Sequence, residues 1–207
     1  MTENERLRTH YTLREGWLCL DFANTNDWHA SAQPEEKLTS FAVWVDWGRQ
    51  RGVLSGLEAQ WLTLEGQAHP EQAEQALQQA TALREAIFEI FSAVVLGQPN
   101  PEAALSLLNQ VWAEKQPHLM VVTSSKGFAW EWSDKRSLDW MLGPIARSAM
   151  ELLTSAALAR VGRCHDDRGC GWLYLDQTRN KSRRWCSMES CGNRAKVLQH
   201  YRKHKTA

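Results

Sequence analysis

Residues 185–194 read WCSMESCGNR, two cysteines with four residues between them, a tryptophan before them and Gly-Asn-Arg directly after. Upstream, residues 163–176 read RCHDDRGCGWLYLD and supply a second pair, so the full pattern is Cys164-x5-Cys170-x15-Cys186-x4-Cys191. Four thiolates from two tight turns suit a tetrahedral zinc ion, because each turn presents two sulfurs to one metal. The spacer agrees with this. Trp172-Leu173-Tyr174-Leu175 is β-prone, residues 177–182 are turn-rich, and residues 183–185 can return as a second strand. A helix through Ala195, Val197, Leu198 and Tyr201 is expected after Cys191. Knuckle, hairpin, then a helix opened by the last ligand is the treble-clef order.

Other chemistries for these cysteines fit less well. Disulfides conflict with the cytoplasmic setting expected below. The spacing departs from the common ferredoxin runs of iron–sulfur proteins. A thiol catalyst needs one activated cysteine with a base, and four paired cysteines lack that logic. His165 could replace a neighbouring ligand, but four cysteines already complete the coordination. The expected cofactor is therefore one structural zinc on Cys164, Cys170, Cys186 and Cys191. At about 45 residues this module is too small to fold on apolar contacts alone. Trp172, Leu173, Trp185, Val197, Leu198 and Tyr201 would make only a miniature core, so the metal should supply much of the folding free energy. A chelator is expected to unfold residues 160–207 and leave the rest largely folded.

The chain has 207 residues and a formal net charge of zero, yet its charge is segregated. Residues 160–207 hold twelve Lys and Arg against four Asp and Glu, a surplus of +8, which leaves −8 for residues 1–159. Such asymmetry points to a basic module for a polyanion on an acidic body, or to two solvated surfaces of opposite sign. No apolar run approaches a membrane span, and the start, MTENERLRTHYT, lacks a secretory apolar core. A cytoplasmic protein without a membrane partner is expected.

The first 159 residues read as a helix-rich α+β domain with a small sheet. GWLCLDFANT (16–25) alternates Leu18, Leu20 and Phe22 with Cys19 and Asp21, which predicts a strand ending in an Asn-Thr turn. Helices are expected at 39–49 with Phe41, Val45 and Trp44 inward, and at 55–65. The strongest period lies in 71–96, where Leu77, Leu83, Ile87, Ile90, Phe91 and Val94 share a stripe that Gly97 and Pro99 end. A helix from Pro101 to about Glu114 should turn Leu105, Leu108 and Trp112 inward. HLMVVTSS and FAWEWS form a hairpin signal around Lys126-Gly127, and Pro144 can start a last helix towards Arg160.

RNKSRRWCSMESCGNRAKVLQHYRKHK (179–205) closely resembles the CGNR zinc finger, named for Cys191-Gly192-Asn193-Arg194. In such proteins the finger follows an N-terminal domain called ABATE, and GWLCLDFANT and LREAIFEIF (83–91) look like that domain's opening strand and central helix. The resemblance implies bacterial, stress-related transcription regulators, zinc on the four cysteines, and DNA binding by the finger. The domains would then be an ABATE-like body, 1–159, and a CGNR finger, 160–207.

Arg179, Lys181, Arg183 and Arg184 would line the hairpin, with Arg194, Lys196, Arg202 and Lys203 on the helix. Basic side chains at this density neutralise phosphates and release counterions, so double-stranded DNA is the expected partner. Arg194 and Lys196 near the helix start could reach base edges. Alternatively Arg184 and Arg194 offset the charge of a four-thiolate site, and the finger is an adaptor for a protein partner. Asn193 is read as a cap or brace. In the body, Asp21, Asn24, Thr25 and Arg84 are candidate ligand contacts, with an Arg84–Asp21 ion pair that organises the fold as the plainer account. Cys19 reads as a packed core thiol. Trp130 and Trp132, on one hairpin face, could be core, the seam of a homodimer, or the wall of a small-molecule pocket. No nucleotide-binding glycine loop, metalloprotease helix or serine-hydrolase elbow occurs, so an enzyme is not expected.

Overall fold

The computed structural model describes residues 16–125, 127–133 and 135–205; the side chains of residues 199, 200 and 202–205 are not described. The polar N-terminal stretch and Lys126 of the expected turn lie outside the described residues. Seven helices and three small antiparallel ladders are described.

The first element corrects the sequence reading. Leu18–Ala23 is a helix, α1, not a strand. All six of its residues are buried, Cys19 as the core thiol expected and Asp21 with it. Alternation reports a strand only when one face is wet. Here the helices Pro70–Leu96 and Leu142–Leu153 enclose the segment, so period 2 carried no information. Thr25 donates its hydroxyl to the Phe22 carbonyl at 2.8 Å, so the expected Asn-Thr turn does close the element. Burial pushes the Cys19 thiol up to about 12, in keeping with an inert core position.

A two-residue ladder follows, β1 (Asn26–Asp27) with β2 (Glu35–Glu36). Helix α2 (Phe41–Gln50) starts at Ser40, whose hydroxyl accepts from the Val43 amide. Phe41, Trp44 and Val45 are buried as expected. Helix α3 (Gly56–Ala68) opens with a capping box between Ser55 and Glu58. The body is organised around α4 (Pro70–Leu96), with Pro70 in the first turn and Gly97 ending it at φ 62°, a left-handed position suited to glycine. Leu77, Leu83, Ile87, Ile90 and Phe91 are buried, while Val94 is surface-exposed at the helix end. Helix α5 (Glu102–Lys115) buries Leu108 and sets Leu105 and Trp112 against the core.

Strands β3 (Leu119–Ser124) and β4 (Gly127–Trp132) form the expected hairpin, with Val121 opposite Trp130 and Leu119 opposite Trp132. Its two tryptophans separate in role. Trp132 packs on the core, and its ring lies so close to Gly143 that a Cβ there would come within 2.7 Å of it. Trp130 is 49% exposed beneath the Arg147 guanidinium, so the core reading does not hold for it. Helix α6 (Leu142–Leu153) completes the body and leads through a 3-10 turn at Ala156–Arg160 into β5 (Val161–Arg163).

β5 pairs antiparallel with β6 (Leu173–Leu175), so the ladder brackets the first cysteine pair. The expected second strand at 183–185 is absent; that segment returns as irregular chain held by side-chain bonds. The chain then makes a π turn, Met188–Gly192, and ends in α7 (Asn193–Lys205). Among the described residues, no helix is long and apolar enough to cross a membrane.

Candidate metal centre and nucleic-acid interface

Cys164 follows β5, Cys170 precedes β6, and Cys186 and Cys191 flank the π turn. Ser187 caps that turn by accepting from the Ser190 amide, and the Gly192 amide donates to the Ser187 carbonyl at 2.9 Å. These local bonds point Cys186 and Cys191 at the first pair. All four cysteines are buried, and their sulfurs lie within 4.8 Å of one another. The Cys170–Cys186 and Cys186–Cys191 separations are 3.7 and 3.6 Å. A tetrahedron with ~2.3 Å zinc–sulfur bonds has edges of ~3.8 Å, so the donor set fits one zinc ion.

The electrostatics agree. Hydrogen bonds from the Cys170 and Cys186 thiols hold Cys164 down at about 2, while bonding to the Cys164 sulfur pushes Cys170 up to about 12. Burial raises Cys191. Four sulfurs this close ionise together only around a cation.

Arg194 partly offsets the residual charge. Its guanidinium lies 2.8 Å from the Cys191 sulfur and 3.1 Å from Asp166 Oδ2, and it stacks over Trp28 at 5.1 Å. Burial alone would raise the Asp166 carboxyl, but bonds from the Arg168 side chain and amide hold it below the usual range. Arg183 also turns inward. It donates to the Leu175, Trp185 and Cys186 carbonyls and stacks on Tyr174 at 4.3 Å. Arg183 and Arg194 thus brace the metal centre, Arg194 in the charge-offsetting way that the sequence offered beside DNA contact, Arg183 in a way it did not.

Arg179, Lys181, Arg184 and Lys196 are exposed, and none has an ion pair among the described residues. Arg184 stacks on Trp185 at 5.3 Å. Arg202 and Lys203 lie on α7, but their side chains are outside the described residues. Asn193 donates to the Glu189 carbonyl at 3.3 Å.

The miniature core expected for this module does not form as read. Val197, Leu198 and Tyr201 are 53%, 39% and 68% exposed, whereas Leu173 and Leu175 join the main core of the body. The attachment is specific. Asn24 Nδ2 donates to the Leu173 carbonyl at 2.8 Å, and Asn24 Oδ1 accepts from the Leu173 amide at 2.9 Å. Trp172 donates to Asp27 at 3.0 Å, and the Ala30 amide donates to the Gly169 carbonyl at 3.0 Å. Trp28, in the left-handed region at φ 55°, sets its ring beneath both Arg168 and Arg194. No sequence signal marked residues 27–31 as this contact.

The candidate ligand residues of the body all have partners within the fold. Arg84, 3% exposed, forms a bidentate pair with Glu36 at 2.6 Å for each bond and also binds Glu85, so its partner is not Asp21. Glu36 arrives on a ladder that the sequence did not announce. Asp21 lies 3.9 Å from Arg51 instead. Asn24 is committed to Leu173 and Thr25 to Phe22.

A family model named ABATE, described as "Putative stress-induced transcription regulator", matches residues 16–156, well over half of the chain. The chain belongs to the ABATE family. A second model, the CGNR zinc finger, matches residues 160–204 and includes all four cysteines. A comparison with curated proteins finds no match. The CGNR finger of this ABATE chain thus has both the family pattern and the sulfur geometry for one zinc.

Proposed function

We propose that this chain is a transcription regulator, not a catalyst. Its CGNR finger binds double-stranded DNA, and its ABATE body senses a small ligand or mediates self-association. The observation that carries the DNA reading is the set of exposed cations Arg179, Lys181, Arg184 and Lys196. The finger's buried acids cannot neutralise them. Asp166 is bound by Arg168 and Arg194, and Asp176 by Thr178 and the Arg183 amide. Cations left free of internal partners are the ones that can displace counterions from a phosphate backbone. Self-association is supported by the hairpin, where Phe128 is 79% exposed beside Val121 and Trp130.

Fluorescence anisotropy of zinc-loaded protein with duplex DNA tests the reading. Affinity should fall steeply with salt, and Lys181→Glu combined with Arg184→Glu should weaken it and flatten the log–log salt slope by roughly 2. Equal binding by this variant would refute the DNA interface. The exposed apolar residues of α7 favour one second reading, an adaptor that binds a protein partner through that helix.

A further inference from the structure

An open cleft of about 470 Å³ lies where the body meets the finger. Val95 and Leu96, at the end of α4, line it together with Arg163 at the end of β5, the metal ligand Cys164, and Gly169 and Gly171 of the first knuckle. The volume falls within the range of roughly 300–1,000 Å³ typical of small-molecule sites.

Arg163 is what makes this cleft chemically distinctive. The finger's other inward arginines have oxygen or sulfur acceptors. Arg160 reaches the Asp176 and Thr178 carbonyls, Arg168 and Arg194 reach Asp166, and Arg183 is braced as described. Arg163 is partly buried, yet its guanidinium has no hydrogen bond or ion pair among the described residues. Its one described contact is the face of Phe88, 5.4 Å from the ring centroid. A guanidinium stacked on a ring keeps its N–H edge available, and that planar fork matches a carboxylate or phosphate in two parallel bonds. Withdrawing a cation from water without a partner is costly, so an anion arriving there gains more than it would at the open surface.

The surroundings select among anions. Among the described residues that line the cleft Arg163 is the sole Lys or Arg, and a single guanidinium offers too little positive charge for a phosphate dianion. Val95 and the half-exposed Leu96 offer apolar surface to the remainder of the ligand. The glycines keep the floor low and fixed: a Cβ on Gly169 would lie 2.6 Å from the Ser31 backbone, and one on Gly171 would lie 2.8 Å from the Ala30 Cβ.

We propose that this cleft binds a small monocarboxylate with an apolar body, its carboxylate held by Arg163 and its apolar part against Val95 and Leu96. This deepens the ligand-sensing part of the regulator reading and rests on it. A ligand there touches α4 as well as β5 and the first knuckle, so it bridges the sensing body and the finger.

The test is isothermal titration calorimetry of the zinc-loaded full chain with hexanoate and benzoate, against hexanamide, benzamide and inorganic phosphate. At least one carboxylate should bind saturably, one per chain, and its amide should bind roughly tenfold more weakly or worse, as expected for loss of a charge-assisted pair. Arg163→Met should weaken the carboxylate by a similar factor. Because Arg163 adjoins Cys164, a second variant is kept remote from the metal: Leu96→Asp places a repelling carboxylate at the mouth and should weaken binding likewise. Absence of binding by both carboxylates at millimolar concentration, equal binding by the amides, preference for phosphate, or unchanged affinity in Leu96→Asp would each overturn the proposal. The titration contains no DNA, so its failure is distinct from failure of the DNA interface.

Discussion

Replacing Asn24 by Ala tests whether the finger is an independent module or part of the body's fold. The Asn24 amide pairs with both backbone groups of Leu173, 149 residues away, at 2.8 and 2.9 Å. Asn24 is only 9% exposed and Leu173 is fully buried, so water cannot substitute for the amide without rearrangement. Truncation leaves one N–H and one C=O without partners, each costing about 1–3 kcal/mol, and the total expected is about 2–6 kcal/mol. Asn24→Asp keeps the acceptor but sets a carboxylate against the Leu173 carbonyl, so it should cost at least as much. The assay is urea unfolding of zinc-loaded protein, followed by tryptophan fluorescence and, in parallel, by zinc release to a chromophoric chelator. In the wild type the two signals should change together, because Leu173 and Leu175 lie in the body core. In Asn24→Ala, zinc release should move to lower urea while the body transition shifts less. The coupling argument is refuted if the wild type already releases zinc before the body unfolds and Asn24→Ala changes neither midpoint by more than about 0.5 kcal/mol.

Other perturbations probe the same frame. Arg183→Ala should weaken zinc retention against a competing chelator, since its guanidinium ties the Leu175, Trp185 and Cys186 carbonyls together; Arg184→Ala, exposed, should leave retention unchanged. Gly169→Ala combines φ 88° with a Cβ 2.6 Å from the Ser31 backbone and should destabilise by about 2 kcal/mol or more in the same urea assay, whereas Gly56→Ala, where a Cβ meets open space, should be near neutral. Glu85 is pulled down from 4.5 to about 2: burial opposes this, and the bond to His29 and the charge of Arg84 overcome it. A depressed carboxyl stabilises the fold above its unfolded value and loses that contribution as pH falls, so stability should decline from about pH 4.5 towards 2; Glu85→Gln should flatten this limb of a urea-midpoint profile. Chelation should release α7 and the second cysteine pair first, while β6 stays held by Asn24 and the body core. Circular dichroism should therefore show a partial loss of helix rather than complete unfolding of residues 160–207.

The cysteine spacing, the helix starts near residues 40 and 55, and the long stripe ended by Gly97 were legible because each is settled within a few residues. Two ligands on one tight turn fix their own separation, a capping hydroxyl reaches only its own helix's first amides, and a left-handed glycine stops the helix it follows. From these the sequence by itself determined the helix-rich body and the zinc-binding finger. It could not determine that Leu18–Ala23 is helical, because the period of a segment enclosed on all sides is not visible in its composition. Nor could it choose Glu36 for Arg84, or decide which of the adjacent Arg183 and Arg184 turns inward. Those outcomes depend on which acceptors the folded chain sets within reach: Glu36 comes from 48 residues away, and the Leu175, Trp185 and Cys186 carbonyls converge on the Arg183 guanidinium. Tertiary structure alone decided that the finger's hydrophobic strand belongs to the body's core. Leu173 and Leu175 gain more by leaving water against α1 and α4 than a module of four cysteines, Tyr174 and two tryptophans can offer, and Asn24 supplies the two hydrogen bonds that the strand's buried backbone requires.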